Sequence, residues 1–273
     1  MGKFDGILIC TDLDGTLYKN DKTISKENKE AIEYFKKEGG YFTFITGRMP
    51  YYSLDAFNAV EPNVPFGCTN GGGLYDGTAK RYIWKQPLPH DALQLVQYID
   101  ERFVNVGIQL CCFDKTCFAK ENNTTVRFRE ITGLPKISCD YRSFDEPMGK
   151  VIFCTDIEEE LLSVEQALRG HQNHDNFDFI RSERSLFEIL PKGVNKGLGL
   201  RKLAEYLNVE IRNTITVGDY DNDVTMLRAA GLGISVSNGS KSALDAADLV
   251  TVSNEEHAIA KIIYDLEDEK ILL

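Results

Sequence analysis

The 273-residue sequence has no apolar run near the ~20 residues that a membrane-spanning helix needs. Its first hydrophobic stretch, Ile7 to Cys10, stops after four residues at Thr11 and Asp12. No secretory leader is expected from so polar a start, and no membrane partner. Positive charge is also short: 31 Lys and Arg against 42 Asp and Glu give a formal net charge of −11. Non-specific nucleic-acid binding and adhesion to anionic lipid both need a basic face, so neither is expected. Seven cysteines make an odd number with no Cys-x-x-Cys spacing. They read as reduced, mostly core thiols of a cytoplasmic protein. The Asn-x-Ser/Thr triplets at Asn122, Asn123 and Asn238 then carry no glycosylation meaning. There is no Gly-x-x-x-x-Gly-Lys-Ser/Thr loop for a nucleotide, and Gly71-Gly72-Gly73 lacks dinucleotide spacing. Only four histidines are present, and no nucleophile–His dyad stands out.

What the chain does have is a hydrophobic fraction of 42%, enough for a substantial core. Ile7–Cys10 reads as a buried strand, residues 25–38 as a helix capped by Ser25, and 41–45 as a second buried strand. A third short strand at 66–68 completes a strand–helix–strand order that predicts a parallel sheet. The pattern then changes. A hairpin over 74–84 leads into helix 89–103, strands 106–113 and 116–120, helix 122–130, strand 150–154, helix 157–169 and strands near 177–181 and 186–190. Helix 196–207 and strand 214–217 restore the βα alternation, which runs to a last helix at 255–267. The expected fold class is α/β. A doubly wound, Rossmann-like parallel core of residues 1–84 and 189–273 encloses an inserted α+β domain of residues 85–188.

Polar groups collect where the core strands end. Asp12 and Asp14 follow the first strand, Thr46-Gly47-Arg48 the second, and Asp219-Tyr220-Asp221-Asn222-Asp223 the strand at 214–217; Lys196 opens a helix. Ligands in open α/β sheets sit beyond the carboxyl ends of the strands. Two neighbouring acids there need a cation or a proton between them. The acidic run near 219 resembles a calcium loop only superficially, because Val224 stands where that loop needs Gly and Ala230 where it needs Glu. The set suits phosphoryl transfer. An ionised Asp attacks phosphorus without prior deprotonation, and a divalent cation with a Lys neutralises the repelling phosphate. Oxygen-only ligands favour magnesium over zinc. Taken alone, Lys196 could equally be a solvated first-turn lysine, Thr46 a plain cap, and Arg48 and Asn70 turn or supporting residues.

Together, Asp12-Leu13-Asp14-Gly15-Thr16, Thr46-Gly47-Arg48, Lys196 and Gly218-Asp219-x-x-Asn222-Asp223 resemble the four motifs of the haloacid dehalogenase superfamily. Their order and spacing resemble its Cof-type, class IIB capped sugar-phosphate phosphatases, and the match spans the chain. The resemblance implies a Mg2+-dependent hydrolase of small phosphorylated metabolites, with the insert as a cap that selects among sugars. It implies Asp12 as nucleophile and metal ligand, Asp14 as acid/base and metal ligand through its carbonyl, and Asp219 as the third ligand. Thr46, Gly47, Lys196 and Asn222 would hold the phosphoryl group, Lys196 also serving catalysis, and Asp223 would orient the metal's shell. Tyr220-Asp221 departs from the small residues often found there. Alternatives are a phosphosugar mutase using the same aspartyl-phosphate and a phospho-aspartate signalling module. In the insert, Asp114, Lys115, Arg181, Ser182, Arg184 and Ser185 are candidates for substrate selection.

Overall fold

The computed structural model describes residues 2–273. In chain order its elements are β1 (Leu8–Thr11), α1 (Lys26–Lys37), β2 (Tyr41–Phe44), α2 (Leu54–Val60), β3 (Phe66–Cys68), β4 (Gly73–Asp76) and β5 (Arg81–Lys85). There follow α3 (Ala92–Asp100), β6 (Gly107–Cys112), β7 (Thr116–Lys120), α4 (Asn123–Thr132), β8 (Met148–Cys154), α5 (Glu158–Arg169), β9 (Phe177–Glu183) and β10 (Leu186–Pro191). The chain closes with α6 (Lys196–Leu207), β11 (Thr214–Gly218), α7 (Val224–Leu227), β12 (Leu232–Val236), α8 (Lys241–Ala246), β13 (Leu249–Thr251) and α9 (Ala258–Glu267).

Two compact units emerge. The first holds the chain up to Arg48, Ser53–Trp84 and Asn195–Leu273; the second holds Met49–Tyr52 and Lys85–Val194. The return to the first unit comes at Asn195 rather than at residue 189. The cause is β10, which stays paired with β9 as far as Pro191, opposite Phe177.

The first unit is built on a five-stranded parallel sheet in the order β13-β12-β11-β1-β2. Alternating residues of β1 go to opposite faces: Ile9 joins a core with Phe35 and Ile262, while Leu8 and Cys10 join one with Leu200 and Met226. Helices α1 and α9 thus cover one face, α6 and α7 the other, which makes a doubly wound α/β layer structure. The register places Thr11 beside both Phe44 and Val217, so β1, β2 and β11 end level with one another. One expectation is corrected. β3 forms an antiparallel sheet with β4 and β5, and it meets the end of β2 through one parallel bridge, Ile45↔Gly67, and the stacked rings of Phe44 and Phe66, not through a full ladder. The chain reverses at once after β3, with Thr69, Asn70 and Gly71 all at positive φ.

The second unit contains a five-stranded sheet, β7-β6-β8-β10-β9. Every pairing in it is antiparallel. One face packs on α3 and α5 through Leu95, Ile99, Leu161 and Val164. On the other face Met49, Tyr51 and Tyr52 meet Cys111, Ile152 and Cys154, and the Tyr51 hydroxyl lies 2.7 Å from that of Thr116. All seven cysteines are free and six are buried, as expected of core thiols. Asn122 caps α4 by accepting from the Thr125 N–H.

The second face also buries an ion pair. Lys150 Nζ lies 2.7 Å from Glu188 Oε1, both side chains are 2% exposed, and Ser182 donates to the same oxygen. Breaking a buried pair by removing one partner strands the other charge, at about 3–5 kcal/mol. Lys150→Met should therefore melt on the order of 10 °C below wild type, and Lys150→Met with Glu188→Leu should regain most of that loss. Thermal unfolding decides; a single variant that melts with wild type would show the pair to be dispensable.

Candidate active site

The level ends of β1, β2 and β11 deliver the site. Asp12 continues β1 with an extended backbone, its N–H donating to Val217 O at 2.8 Å. Residues 13–17 then form one tight turn, closed by the Tyr18 N–H on Leu13 O at 2.8 Å. The turn opens at Asp14 and at Gly15, whose φ is 81°. Gly15 is required twice over: the conformation favours it, and a Cβ there would lie 2.4 Å from Asp219 Oδ2. The turn thus packs directly on the carboxylate delivered by β11. The Thr16 hydroxyl donates to Asp219 Oδ1 at 2.6 Å.

Lys196 opens α6, whose N-cap is Asn195, accepting from the Leu198 N–H at 3.0 Å. Its side chain is fully buried and bridges Asp12 Oδ1 at 2.6 Å and Asp223 Oδ1 at 2.5 Å. The solvated-lysine reading fails on this burial. Asp223 is itself fully buried, and its Oδ2 accepts from the N–H groups of Asp219 and Tyr220 at 2.9 and 3.0 Å. It fixes the start of the loop that carries Asp219.

After β2, the Thr46 N–H donates to Gly67 O at 3.0 Å, and Thr46 O accepts from the Asn70 N–H at 3.0 Å. The Thr46 hydroxyl accepts from the Arg48 N–H at 3.2 Å. A Cβ on Gly47 would come within 2.9 Å of Asn70 Oδ1. That same oxygen accepts from Asn222 Nδ2 at 3.1 Å. Asn70 therefore ties the Thr46-Gly47 loop to the β11 loop.

The carboxylate of Asp14 lies apart from Lys196. Arg48 grips it through Nε at 2.9 Å and a terminal nitrogen at 2.7 Å, and Lys22 Nζ adds a third contact at 2.9 Å. Burial raises the Asp14 pKa, but the Arg48 charge and hydrogen bonds, with Lys22, outweigh it and hold the group below the usual carboxylate range. Asp14 is thereby kept ionised.

Asp12, Asp219 and Asp223 each offer an oxygen, all within 4.8 Å of one another. Burial pushes Asp12 well above its ordinary range, Lys196 opposes this, and the charges of Asp223, Asp219 and Asp14 push it further up. Burial and Asp223 likewise raise Asp219 to about 7. Burial would lower the Lys196 pKa, but Asp12 and Asp223 raise it, so the ammonium stays charged. One lysine cannot neutralise three acids. The oxygen-only donor set and its excess negative charge fit a hard cation.

The fold brings Asp12, Lys196, Asp219 and Asp223 into direct contact range, and Thr46, Gly47 and Asn222 around Asn70. Asp14 joins through its own turn, its carboxylate outside the three-acid cluster. Arg48 and Asn70, read from the sequence as turn or supporting residues, hold Asp14 and Asn222. In the sequence Thr16 reads only as a member of the first motif, without a role of its own, and Lys22 gives no signal; a lysine in a polar loop is ordinary. Among the insert candidates, Arg181 pairs with Glu158, Ser182 with Glu188, and Lys115 with Glu146.

A sequence model of the haloacid dehalogenase-like hydrolases matches residues 9–263. The 5-amino-6-(5-phospho-D-ribitylamino)uracil phosphatase YitU of Bacillus subtilis is 29% identical over 269 residues, covering 94% of this chain and 96% of its own. Phosphatase YwpJ of the same organism is 25% identical over 286 residues, with 95% and 99% covered. A crystal structure of a haloacid dehalogenase-like hydrolase from Bacteroides thetaiotaomicron shares the fold with a TM-score of 0.83 at 24% identity, covering 95% of this chain and 99% of that one. A haloacid dehalogenase subclass IIB sugar phosphatase superposes with a TM-score of 0.82 at 20% identity, over 96% and 99%. Among the described residues, no helix is long and apolar enough to cross a membrane.

Lys196→Met removes the one cation between two buried acids. It should cost both turnover and fold stability, the latter by about 3–5 kcal/mol. Melting in chelator, without substrate, reads the second effect separately. A variant as stable as wild type would mean that Asp12 and Asp223 do not depend on the ammonium.

Proposed function

The chain belongs to the haloacid dehalogenase-like hydrolases, and from that premise we propose a Mg2+-dependent phosphatase. Its substrates are phosphomonoesters of small metabolites, sugar phosphates foremost, hydrolysed through an aspartyl-phosphate on Asp12. One observation carries the reading: a buried lysine joins Asp12 to Asp223 beside Asp219, at the level ends of three parallel strands.

Asp12 and Asp219 would hold the cation with the backbone carbonyl of Asp14, and Asp223 would orient them from behind. Bound there, Mg2+ supplies the positive charge that lets an anionic nucleophile approach an anionic phosphoryl group. In the first step an Asp12 oxygen bonds to phosphorus while the ester P–O bond breaks. Lys196, Thr46, the N–H of Gly47 and Asn222 hold the other phosphoryl oxygens, and the departing alkoxide takes a proton from Asp14. In the second step water attacks phosphorus, its proton passes to Asp14, and the bond to Asp12 breaks to release phosphate. Asp14 as found is ionised, the form the second step needs. For the first it must carry a proton, so its contacts with Arg48 and Lys22 must loosen as substrate binds. Thr16 acts through Asp219, and Asn70 through Asn222.

The resemblance to the class IIB sugar-phosphate phosphatases, one of which shares the fold, puts sugar phosphates at the head of the substrate list, and the Bacillus subtilis relative named for a phosphoribityl compound adds phosphorylated sugar alcohols. A panel of both kinds, assayed for free phosphate, should show turnover with Mg2+ and none in chelator. A mutase or a phospho-aspartate signalling module would release no stoichiometric phosphate. Asp12→Asn should abolish turnover, and Asp14→Asn should lower kcat by about 10²–10⁴. Steady turnover in chelator, or an active Asp12→Asn protein, would refute the mechanism.

A further inference from the structure

Asn238 stood out in the sequence only as part of a glycosylation triplet, and the chemistry above makes no use of it. It lies in the connection between β12 and α8, residues 237–240. Its Nδ2 donates to the carbonyl of Gly15 at 2.9 Å, and its Oδ1 accepts from the Asn254 N–H at 2.9 Å. Two residues on, the Ser240 N–H donates to the carbonyl of Asp219 at 2.7 Å. One short connection therefore grips both acid-bearing loops, the turn after Asp12 and the segment at Asp219. Asn254 extends the grip. It is 2% exposed, and its Nδ2 donates to the carbonyl of Tyr18, at the far end of the same turn, at 2.9 Å.

The two loops carry like charges that repel. Something must hold them at a fixed spacing, and a charged clamp would disturb the field that the cation requires. Neutral amides hold backbone carbonyls without adding charge. Of the turn's carbonyls, Leu13 O is taken by the Tyr18 N–H, and Gly15 O, on the peptide one beyond that of the Asp14 carbonyl, is a handle by which the turn can be held.

We infer that Asn238 is a positioning residue: through Gly15 O, with Ser240 on Asp219 O, it sets the spacing between the Asp12–Asp14 turn and the Asp219 loop, and with it the affinity of the acid cluster for its cation. The inference deepens the metal-dependent reading above and rests on it. Asn238 is exposed, so losing its bonds costs the fold little, whereas Asn254 is buried. The two residues therefore separate positioning from support of the fold.

The test compares wild type with Asn238→Ala, Asn238→Asp and Asn254→Ala. Asn238→Asp keeps the acceptor for Asn254 and loses the donor to Gly15. Calorimetry gives the Mg2+ Kd without substrate, p-nitrophenyl phosphate gives kcat and KM, and melting in chelator gives Tm. For both Asn238 variants the expectation is a Mg2+ Kd raised, and kcat lowered, about tenfold or more, as when an outer partner of a metal site is lost. KM should stay within about twofold, and Tm for Asn238→Ala within about 2 °C of wild type. Asn254→Ala should lower Tm clearly. Wild-type Kd and kcat in Asn238→Ala would overturn the inference, as would losses that accompany a fall in Tm as large as that of Asn254→Ala. A wild-type protein that binds Mg2+ but frees no phosphate from any substrate would overturn the phosphatase reading, while the Kd comparison still judges Asn238. A wild-type protein that binds no Mg2+ would overturn both.

Discussion

The site depends on a single buried ammonium set between carboxylates. Lys196 has no exposed surface and spans Asp12 and Asp223. A charge in that position is tolerated only when paired and hydrogen-bonded. The pairing also works the other way, because two buried acids could not face each other without it. Asp219 brings a third carboxylate into the same space, and one lysine cannot balance three. The imbalance makes the cluster receptive to a cation, and it adds to burial, the larger cause, in raising the Asp12 and Asp219 pKa values.

Much of the surrounding structure keeps these like charges in place. Asp223 spends one oxygen on Lys196 and the other on two backbone N–H groups of its own loop. Gly15 lets the first turn approach Asp219 more closely than any side chain could, and Thr16 bonds to that carboxylate. The level register of β1, β2 and β11 converts sequence-distant loops into one surface. Arg48 and Lys22 form a second, separate balance around Asp14. The two acids of the first motif thus share a turn but sit in opposite electrostatic surroundings, one raised and one lowered in pKa. In the proposed reaction each group must therefore be moved from this resting state, Asp12 by the charge of the cation and of Lys196, and Asp14 by release from Arg48 and Lys22.

The core of this arrangement was legible in the sequence because it follows from strand ends. An apolar run that stops on Asp12 and Asp14, and another that stops on Asp219, announce acids at one sheet edge once the sheet is parallel. Lys196 was ambiguous, since nothing local distinguishes a buried first-turn lysine from a solvated one; only the arrival of Asp12 and Asp223 from distant segments decides it. Lys22 and Asn238 do not read as site residues in the sequence, and Thr16 reads only as a member of the first motif, because the bonds of Lys22 to Asp14, Thr16 to Asp219 and Asn238 to Gly15 and Asn254 leave no mark on the local pattern. β3 meets the parallel sheet by a single bridge and pairs instead with β4, for a related reason. Its apolar residues fit a buried strand of either kind, and the left-handed run at Thr69–Gly71 that reverses the chain has only one glycine at its turning point. The late return to the first unit reflects β10, whose pairing outlasts its apolar pattern.

The central claim is that Asp12, of the four acids gathered here, is the one that becomes phosphorylated. Acid quenching during turnover, followed by borohydride reduction, converts an aspartyl-phosphate to homoserine, which peptide mass mapping locates. The account predicts homoserine at position 12 alone, and only when substrate and Mg2+ are both present. Homoserine at Asp14 or Asp219, or full turnover with no acyl-phosphate trapped at any residue, would contradict it.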